Sequence, residues 1–515
     1  MRRMSRQTNA NRRGLVPVVV LVMVALLSLL AASYTFLVRS NLQEAIAGHE
    51  RFQARMAAEG GIQKAILILR EAKNDPSVWY DNPAQFAGQI VYQMTRSKKD
   101  DTETDATEAA AAVAPVLPTW RFNIVAPNHD VPGTVRYGVT DECARLNLNM
   151  ATEDQLRRLF EVAIPQDMQS PVDLSVLIDS LMDWRTSGGA PRPNGAKDDY
   201  YQALDPPYKC KQAPFSTVEE LLLVRGFTAW TLFGEDYNRN GLLDPNEDDG
   251  DASFPPDDGD GALFAGIAPF LTLWSQEMNV SKDGRQKINL NMQNAQQLQD
   301  QLSTEFSPAI VSYVAQVRGG GMQFNSIMNL LPAPTPEEQA RDNPPPEEKS
   351  PASQPATSQS TSGPTFKKPK RGDLVSSDQA QLQDGSQNPP ATSQPVFSDL
   401  TPTPPPGTLE DLPLILDRLT VQQTPLLTGR INVVTAPREV LATLVDLRDE
   451  EITAIAAARA QLAPEDRSTA AWLLTQSVIG MTRFRQIFDK ITTKATVFRL
   501  ESVGYADHVG VVERL

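Results

Sequence analysis

The sequence predicts an α+β protein: a long N-terminal helix packed on a small antiparallel sheet, with a large, mainly helical domain inserted between two strands. Three observations predict it. An uncharged run over residues 15–38 continues into a segment with helical spacing. Short runs of alternating character lie around residues 120–140 and again at the C-terminal end. Between them one pattern recurs three times.

The N-terminus comes first. Residues 1–13 carry five arginines (Arg2, Arg3, Arg6, Arg12, Arg13) and no acid; Gly14 and then LVPVVVLVMVALLSLLAASYTFLV follow. That run is long enough to span a bilayer, and the arginines place its near end in the cytoplasm. It fits a plain anchor, a secretory signal cut near Ala31–Ser33, or a prepilin leader cut after Gly14 that leaves Leu15 as the mature N-terminus. The apolar run continues past a normal signal length, which disfavours the second. Leu42, Ile46, Met56, Ile66 and Leu69 extend the helix beyond the membrane, and Asn74-Asp75-Pro76 breaks it.

Residues 96–118 are charged, then Ala-rich, and read as a surface loop. Trp120–Val125 and Thr134–Thr140 read as an antiparallel pair separated by Pro127, Asn128, Pro132 and Gly133. Val497–Gly504, followed by Val509–Val512, supplies a third strand, so the insertion falls between the second and third. The insertion contains RLNLNMATEDQLRRLF from Arg145, KINLNMQNAQQLQDQL from Lys287 and RINVVTAPREVLATLV from Arg430. Aligning Asn147, Asn289 and Asn432 also aligns Leu156, Leu298 and Leu441. Thr152 with Gln155, and Asn294 with Gln297, have capping-box spacing; Thr435 is the expected cap of the third copy. Residues 332–410, rich in Pro, Ser, Thr and Gln, hold much of the chain's 40 prolines. They read as a disordered linker between the second and third repeats.

Composition narrows the function. A net charge of −15 is a poor match for nucleic acid. Three histidines and two cysteines assemble no catalytic set and no thiolate metal site. Cys143 and Cys210 are either two small buried residues or one disulfide. The sharpest motif is DYNRNGLLDPNE: Asp236, Asn238, Asn240, Asp244 and Glu247 stand at positions 1, 3, 5, 9 and 12, Leu242 offers a carbonyl at 7, and Gly241 stands at 6. That is the spacing of a calcium loop, in which alternating oxygens wrap a hard cation and Gly permits the turn. The competing reading is a solvated acidic turn. Asp257, Asp258 and Asp260 either complete a second site or are surface charge. No helix follows the loop, so it reads as a structural site. The repeats resemble helix-hairpin-helix or SAM-like modules, but the third reads LATLVDLRDEE where a DNA-binding hairpin needs Gly and basic residues. Packing units are therefore expected.

Residues 141–274 carry a family resemblance. DECARLNLNMATEDQLRRL, LIDSLMDWR with its Asp183-Trp184 pair, the Gly195–Tyr201 run, DPPY and STVEELLLVRG occur in the order found in protein K of type II secretion, which this chain resembles. INVVTAPREVLATL and VFRLESVGYA are similar to the C-terminal part of that family. Two features depart from it. Acids expected after the Asp-Trp pair and at Lys197 are replaced by Thr186-Ser187-Gly188 and Lys197, and residues 276–410 look like an extra insertion. The fifth residue after Gly14 is Val19 where most pilin-like proteins have Glu, an absence shared with protein K.

The resemblance implies a pilin-like fold and an assembly role without catalysis: a minor pseudopilin at the tip of a short periplasmic pseudopilus. Its implied partners are minor pseudopilins of the I and J types, the major pseudopilin, prepilin peptidase and the inner membrane. The domains expected are a leader (1–14), the membrane and pilus-core helix (15–38), its periplasmic continuation and loop (39–95), and pilin-like strands (119–142). The inserted domain with the calcium loop (143–275), a second repeat (276–331), the linker (332–410), a third repeat (411–492) and a closing strand (493–515) follow. The rivals are a type IV pilus or DNA-uptake minor pilin and an anchored periplasmic calcium-binding adhesin.

Overall fold

A computed structural model of the chain describes residues 15–93, 118–164, 173–250, 252–254, 257, 259–342, 406–444 and 447–515. Helix α1 runs unbroken from Leu15 to Ala72, 58 residues. Among the described residues it alone is long and apolar enough to cross a membrane. Its first half is exposed along its whole circumference, with Leu21 and Phe36 at 70% and 77%. That suits a lipid or protein environment better than water. Asp75 ends α1 as expected, capping the short helix Pro76–Trp79 by accepting from Ser77 N at 3.0 Å.

The second half of α1 lies on a four-stranded antiparallel sheet: β1 (Gln89–Gln93), β2 (Thr119–Ile124), β3 (Ser502–Ala506) and β4 (Val509–Arg514), in the order β1-β2-β3-β4. Small residues make the approach close. Ala54, Ala57, Ala58 and Ala65 are buried on the helix, and Ser502 Oγ donates to Ala58 O at 2.8 Å. A Cβ on Gly504 would stand 1.9 Å from Ala54 O. Trp79, Phe86, Phe122 and Ile124 fill the layer between helix and sheet.

The expected sheet needs correction in two places. Thr134–Thr140 does not enter it: Val135–Arg136 pairs with Ala126–Pro127, and Thr140–Asp141 pairs with Phe498–Arg499. Gly138 divides the run because it presses on the carbonyls of Trp79 and Tyr80, where a Cβ would fall 2.5 and 2.0 Å away. The vacant place is taken by β1, within a segment read from sequence as helix and loop. The helical insertion therefore sits between β2 and β3.

That insertion is three units with one closing device. Leu146–Asn147 pairs in parallel with Leu271–Thr272, Ile288–Asn289 with Leu419–Thr420, and Ile431–Asn432 with Ile491–Thr492. In each, the amide after the Asn donates to the closing Thr carbonyl: Leu148, Leu290 and Val433 at 2.8, 2.9 and 3.0 Å. The Asn side chain accepts from the amide two residues on, at 3.0, 2.8 and 3.0 Å. The recurring Asn thus makes the turn that leads into each helix, and Leu156, Leu298 and Leu441 are all buried behind it. One continuous apolar core runs through the three units.

The device redraws two boundaries. Leu412–Arg418 and Leu419–Thr420 close the second unit, so the Pro-rich stretch interrupts that unit and does not separate it from the third. The ends of the stretch are ordered. Pro336–Asp342 is a helix, Asp342 is buried and accepts from Thr482 N at 3.0 Å, and Gly407 N donates to Leu330 O at 3.1 Å. The disorder expected for 332–410 thus fails at both ends, where apolar and capping contacts are available; residues 343–405 lie outside the described residues. So do 94–117, the core of the expected 96–118 loop. The capping box of Thr152 and Gln155 forms, and Asn294 caps its helix. Thr435 does not: its hydroxyl is drawn to Asp141 Oδ2 at 2.7 Å, leaving Pro437 at the cap of Arg438–Leu441.

Candidate functional site

The Asp236–Glu247 loop leaves the helix Ala229–Phe233 through Gly234, whose φ of +61° and contact with Phe264 O admit no side chain. Asp236, only 6% exposed, accepts from Asn240 N at 2.8 Å and Gly241 N at 3.0 Å. Asn238 Oδ1 accepts from Asn240 N at 2.9 Å, and Asn240 Oδ1 from Leu242 N at 2.6 Å. Gly241 has φ +70°, the left-handed turn expected at position 6. Asp244 Oδ2 receives the amide groups of Asn238 and Asn240 at 2.7 and 2.8 Å. A 3-10 turn, Pro245–Glu247, brings Glu247 back under the loop, where Oε2 accepts from Asp244 N at 3.2 Å.

One oxygen of this ring lacks a partner. Glu247 is 2% exposed and its Oε1 is buried without a partner. Burial pushes the carboxyls of Asp236 and Glu247 above their ordinary range, and Glu247 also feels Asp236 and Asp244. No three His, Cys, Asp or Glu side chains among the described residues form a metal cluster by themselves. A cation here would need the two Asn oxygens and the Leu242 carbonyl as well, which is how calcium loops are composed. The residues fit such an ion: an orphaned buried carboxylate oxygen, a second buried carboxylate and a left-handed Gly.

The loop is also a joint. Leu243 N donates to Gly133 O at 3.3 Å, and Arg514 Nη2 from β4 donates to Arg239 O at 3.0 Å. It therefore binds the first helical unit to the sheet.

The other expected residues are less concerted. Asp257 Oδ1 accepts from Gly250 N and Gly259 N at 2.8 Å each, and Asp260 Oδ1 accepts from Ala262 N at 2.7 Å. Each closes a turn, while Asp258 lies outside the described residues. Cys143 and Cys210 are both free and buried. Cys143 Sγ contacts Gln276 O at 3.3 Å and Cys210 Sγ contacts Asp183 O at 3.8 Å, so each thiol is seated against a different element and no disulfide joins them. Gly14 lies outside the described residues; Leu15 opens α1.

Sequence reasoning missed what replaces the acids near the Asp-Trp pair. Lys197 Nζ donates to Thr186 O at 3.1 Å and Gly188 O at 2.8 Å. Asp183 is buried and accepts from Arg192 N at 2.9 Å, and Trp184 Nε1 donates to Glu220 at 2.8 Å. An ammonium thus gathers carbonyls where the resemblance leads one to expect carboxylates. The Lys departure itself was the available signal.

Residues 144–232, within the first unit, match the family of type II secretion system (T2SS) protein K. A relative, type II secretion system protein K of Klebsiella pneumoniae, is 27% identical over 225 residues, covering 43% of this chain and 60% of the relative, so the chain spans less than two thirds of that protein. A solved structure, the GspK-GspI-GspJ complex of the type 2 secretion system of enterotoxigenic Escherichia coli, aligns at 13% identity over 36% of this chain and 56% of that one. The TM-score is 0.22. Through its first unit and the Klebsiella relative, this chain is similar to protein K of the type II secretion system.

Proposed function

We propose that the chain is a membrane-anchored minor pseudopilin that serves protein secretion across the outer membrane as an assembly subunit without catalysis. The observation that carries this is α1. One unbroken helix is exposed and apolar over its first half and buried through Ala54, Ala57, Ala58 and Ala65 on an antiparallel sheet over its second. Such a helix serves as membrane anchor before assembly and as filament core after it. The arginine-rich segment ending at Gly14 acts as the leader, with the N-terminus cytoplasmic and the remainder periplasmic. Val19, half exposed, leaves no carboxylate at the fifth mature position to neutralise a neighbour's N-terminal amine, which suits a subunit with none above it. The partners this reading implies are the I-type and J-type minor pseudopilins, the major pseudopilin and prepilin peptidase.

Calcium is the cation proposed for the Asp236–Glu247 loop. Asp236, Asn238, Asn240, the Leu242 carbonyl, Asp244 and Glu247 would hold it. When bound, it supplies charge that offsets the buried carboxylates and fixes the joint between the helical body and the sheet. The three units are read as helix-hairpin-helix-like packing modules. Their bulk, mounted between β2 and β3, would block further subunits from stacking above.

Deleting the chromosomal copy and crosslinking a restored, tagged copy in membranes tests the reading. Secreted proteins should accumulate in the periplasm of the deletion strain, and crosslinks should form to I-type and J-type subunits. Normal secretion without the chain would overturn it.

A further inference from the structure

A cavity of ≈ 390 Å³, open to solvent, lies at the seam between the sheet and the first helical unit. Arg145 lines it. This residue is 4% exposed, and its Nε and Nη1 are buried without a hydrogen-bond acceptor. The carboxylate paired with it, Glu142, stands with Oε1 4.0 Å from Nη1. Glu142 is already engaged: Oε1 accepts from Arg499 Nε at 3.0 Å and Oε2 accepts from the Thr272 hydroxyl. A buried guanidinium short of acceptors is costly, and the chain offsets it only with the Glu142 carboxylate at 4.0 Å.

The balance of charge says which group. Arg136 and Arg499 add to the positive field at Arg145, against Glu142 and Asp141. Burial raises the Asp141 carboxyl to about 6, which weakens that opposition further in mildly acid conditions. The other acids on the cavity wall are committed. Glu219 pairs with Arg239 at 3.3 Å, Glu501 pairs with Arg514, and Asp236 is held by the amides of its own loop. The cavity wall also carries apolar side chains, Val218, Phe233, Leu271 and Trp274, the last 56% exposed.

We propose that this cavity binds a carboxylate, drawn by the guanidinium groups of Arg145 and Arg499, its apolar body resting on Phe233 and Trp274. The fork geometry of a guanidinium matches the two oxygens of a carboxylate. The carboxylate comes either from a free small acid or from an acidic side chain of a neighbouring polypeptide. The inference stands apart from the pseudopilin reading, since leader processing does not depend on Arg145.

Full-length chain in detergent micelles, titrated calorimetrically at constant ionic strength, tests it. The probes are benzoate and N-acetyl-glutamate amide, with benzamide and N-acetyl-glutamine amide as neutral controls. Saturable binding of an acid, absent for its amide, is expected, weakened roughly ten-fold by Arg145→Met, the weight of one charge-assisted contact. Preference for benzoate identifies a free acid; preference for the capped glutamate identifies a protein side chain. If Arg145→Met does not fold, Arg499→Gln replaces it and should weaken binding several-fold. No saturable binding of either acid, equal binding of acid and amide, or undiminished binding in the folded variant overturns the proposal.

Discussion

Replacing Gly504 by Ala tests whether α1 and the sheet are one packed unit. The added Cβ would stand 1.9 Å from Ala54 O and 2.6 Å from Ala58 N, both backbone atoms of α1 that no side-chain rotation can move aside. Ordinary van der Waals separation is ~3.5 Å, so the helix must lift by more than 1 Å locally, roughly speaking. Lifting it also stretches the 2.8 Å bond from Ser502 Oγ to Ala58 O and loosens Ala54, Ala57 and Ala58 from the sheet. Overpacking of this kind costs about 3 kcal/mol, a factor of ~100 in the opening equilibrium. Gly504 is not in the left-handed region, so the loss is steric and not a matter of backbone strain. Hydrogen exchange of the full-length chain in micelles, read on peptides covering Thr119–Ile124 and Ser502–Ala506, should show protection falling by about that factor. Gly510 on β4 has nothing within 4 Å of its would-be Cβ, so Gly510→Ala should leave protection intact. Equal protection in the two variants would refute the packing argument.

Other predictions address the insertion and its charges. Calcium at ~100 times its dissociation constant should stabilise the chain by about 2.7 kcal/mol, removable by chelator and abolished by Glu247→Gln, as measured by thermal unfolding. Asp141 has its carboxyl raised from 3.8 to about 6 by burial, so it is protonated in both states below 3.8 and a buried charge above 6. Stability should therefore fall between pH 4 and pH 7, by up to about 3 kcal/mol from this group. The fall should be shallower in Asp141→Asn, and a flat profile in the unmodified chain would contradict it. Asn289→Ala removes the turn bond to Asn291 N in the second unit and should cost about 1 kcal/mol in chemical unfolding, as should the equivalent change at Asn147. Replacing residues 343–405 by a short Gly/Ser loop should leave the melting temperature unchanged, because Leu412–Thr420 closes the second unit independently; a large loss would show that the boundary is misdrawn.

Much of this architecture was legible in sequence because it rests on local signals. Charge and length marked α1, Asp75-Pro76 marked its end, and the recurrent Asn with its following Leu marked each unit. What was hidden depends on long-range pairing. The closing strands Leu271–Thr272, Leu419–Thr420 and Ile491–Thr492 are two residues each, too short for any periodicity, and only their parallel partners reveal that the Pro-rich stretch interrupts one unit. β1 was missed because Ile90, Val91 and Tyr92 are all largely exposed, so no inside–outside alternation shows. Thr435 has the spacing of a cap, but a buried carboxylate 294 residues away in sequence claims its hydroxyl. At the candidate site, spacing gave the loop and its left-handed Gly241. The buried state of Glu247 and the joint with Gly133 and Arg514 come from tertiary packing that spacing does not encode.

The most direct test of the pseudopilin account is the N-terminal mass of the protein extracted from membranes, with and without prepilin peptidase. The account predicts a peptidase-dependent start at Leu15, carrying a methyl group on its amine. A start at Met1, or a cut near Ser33 in either strain, would contradict it.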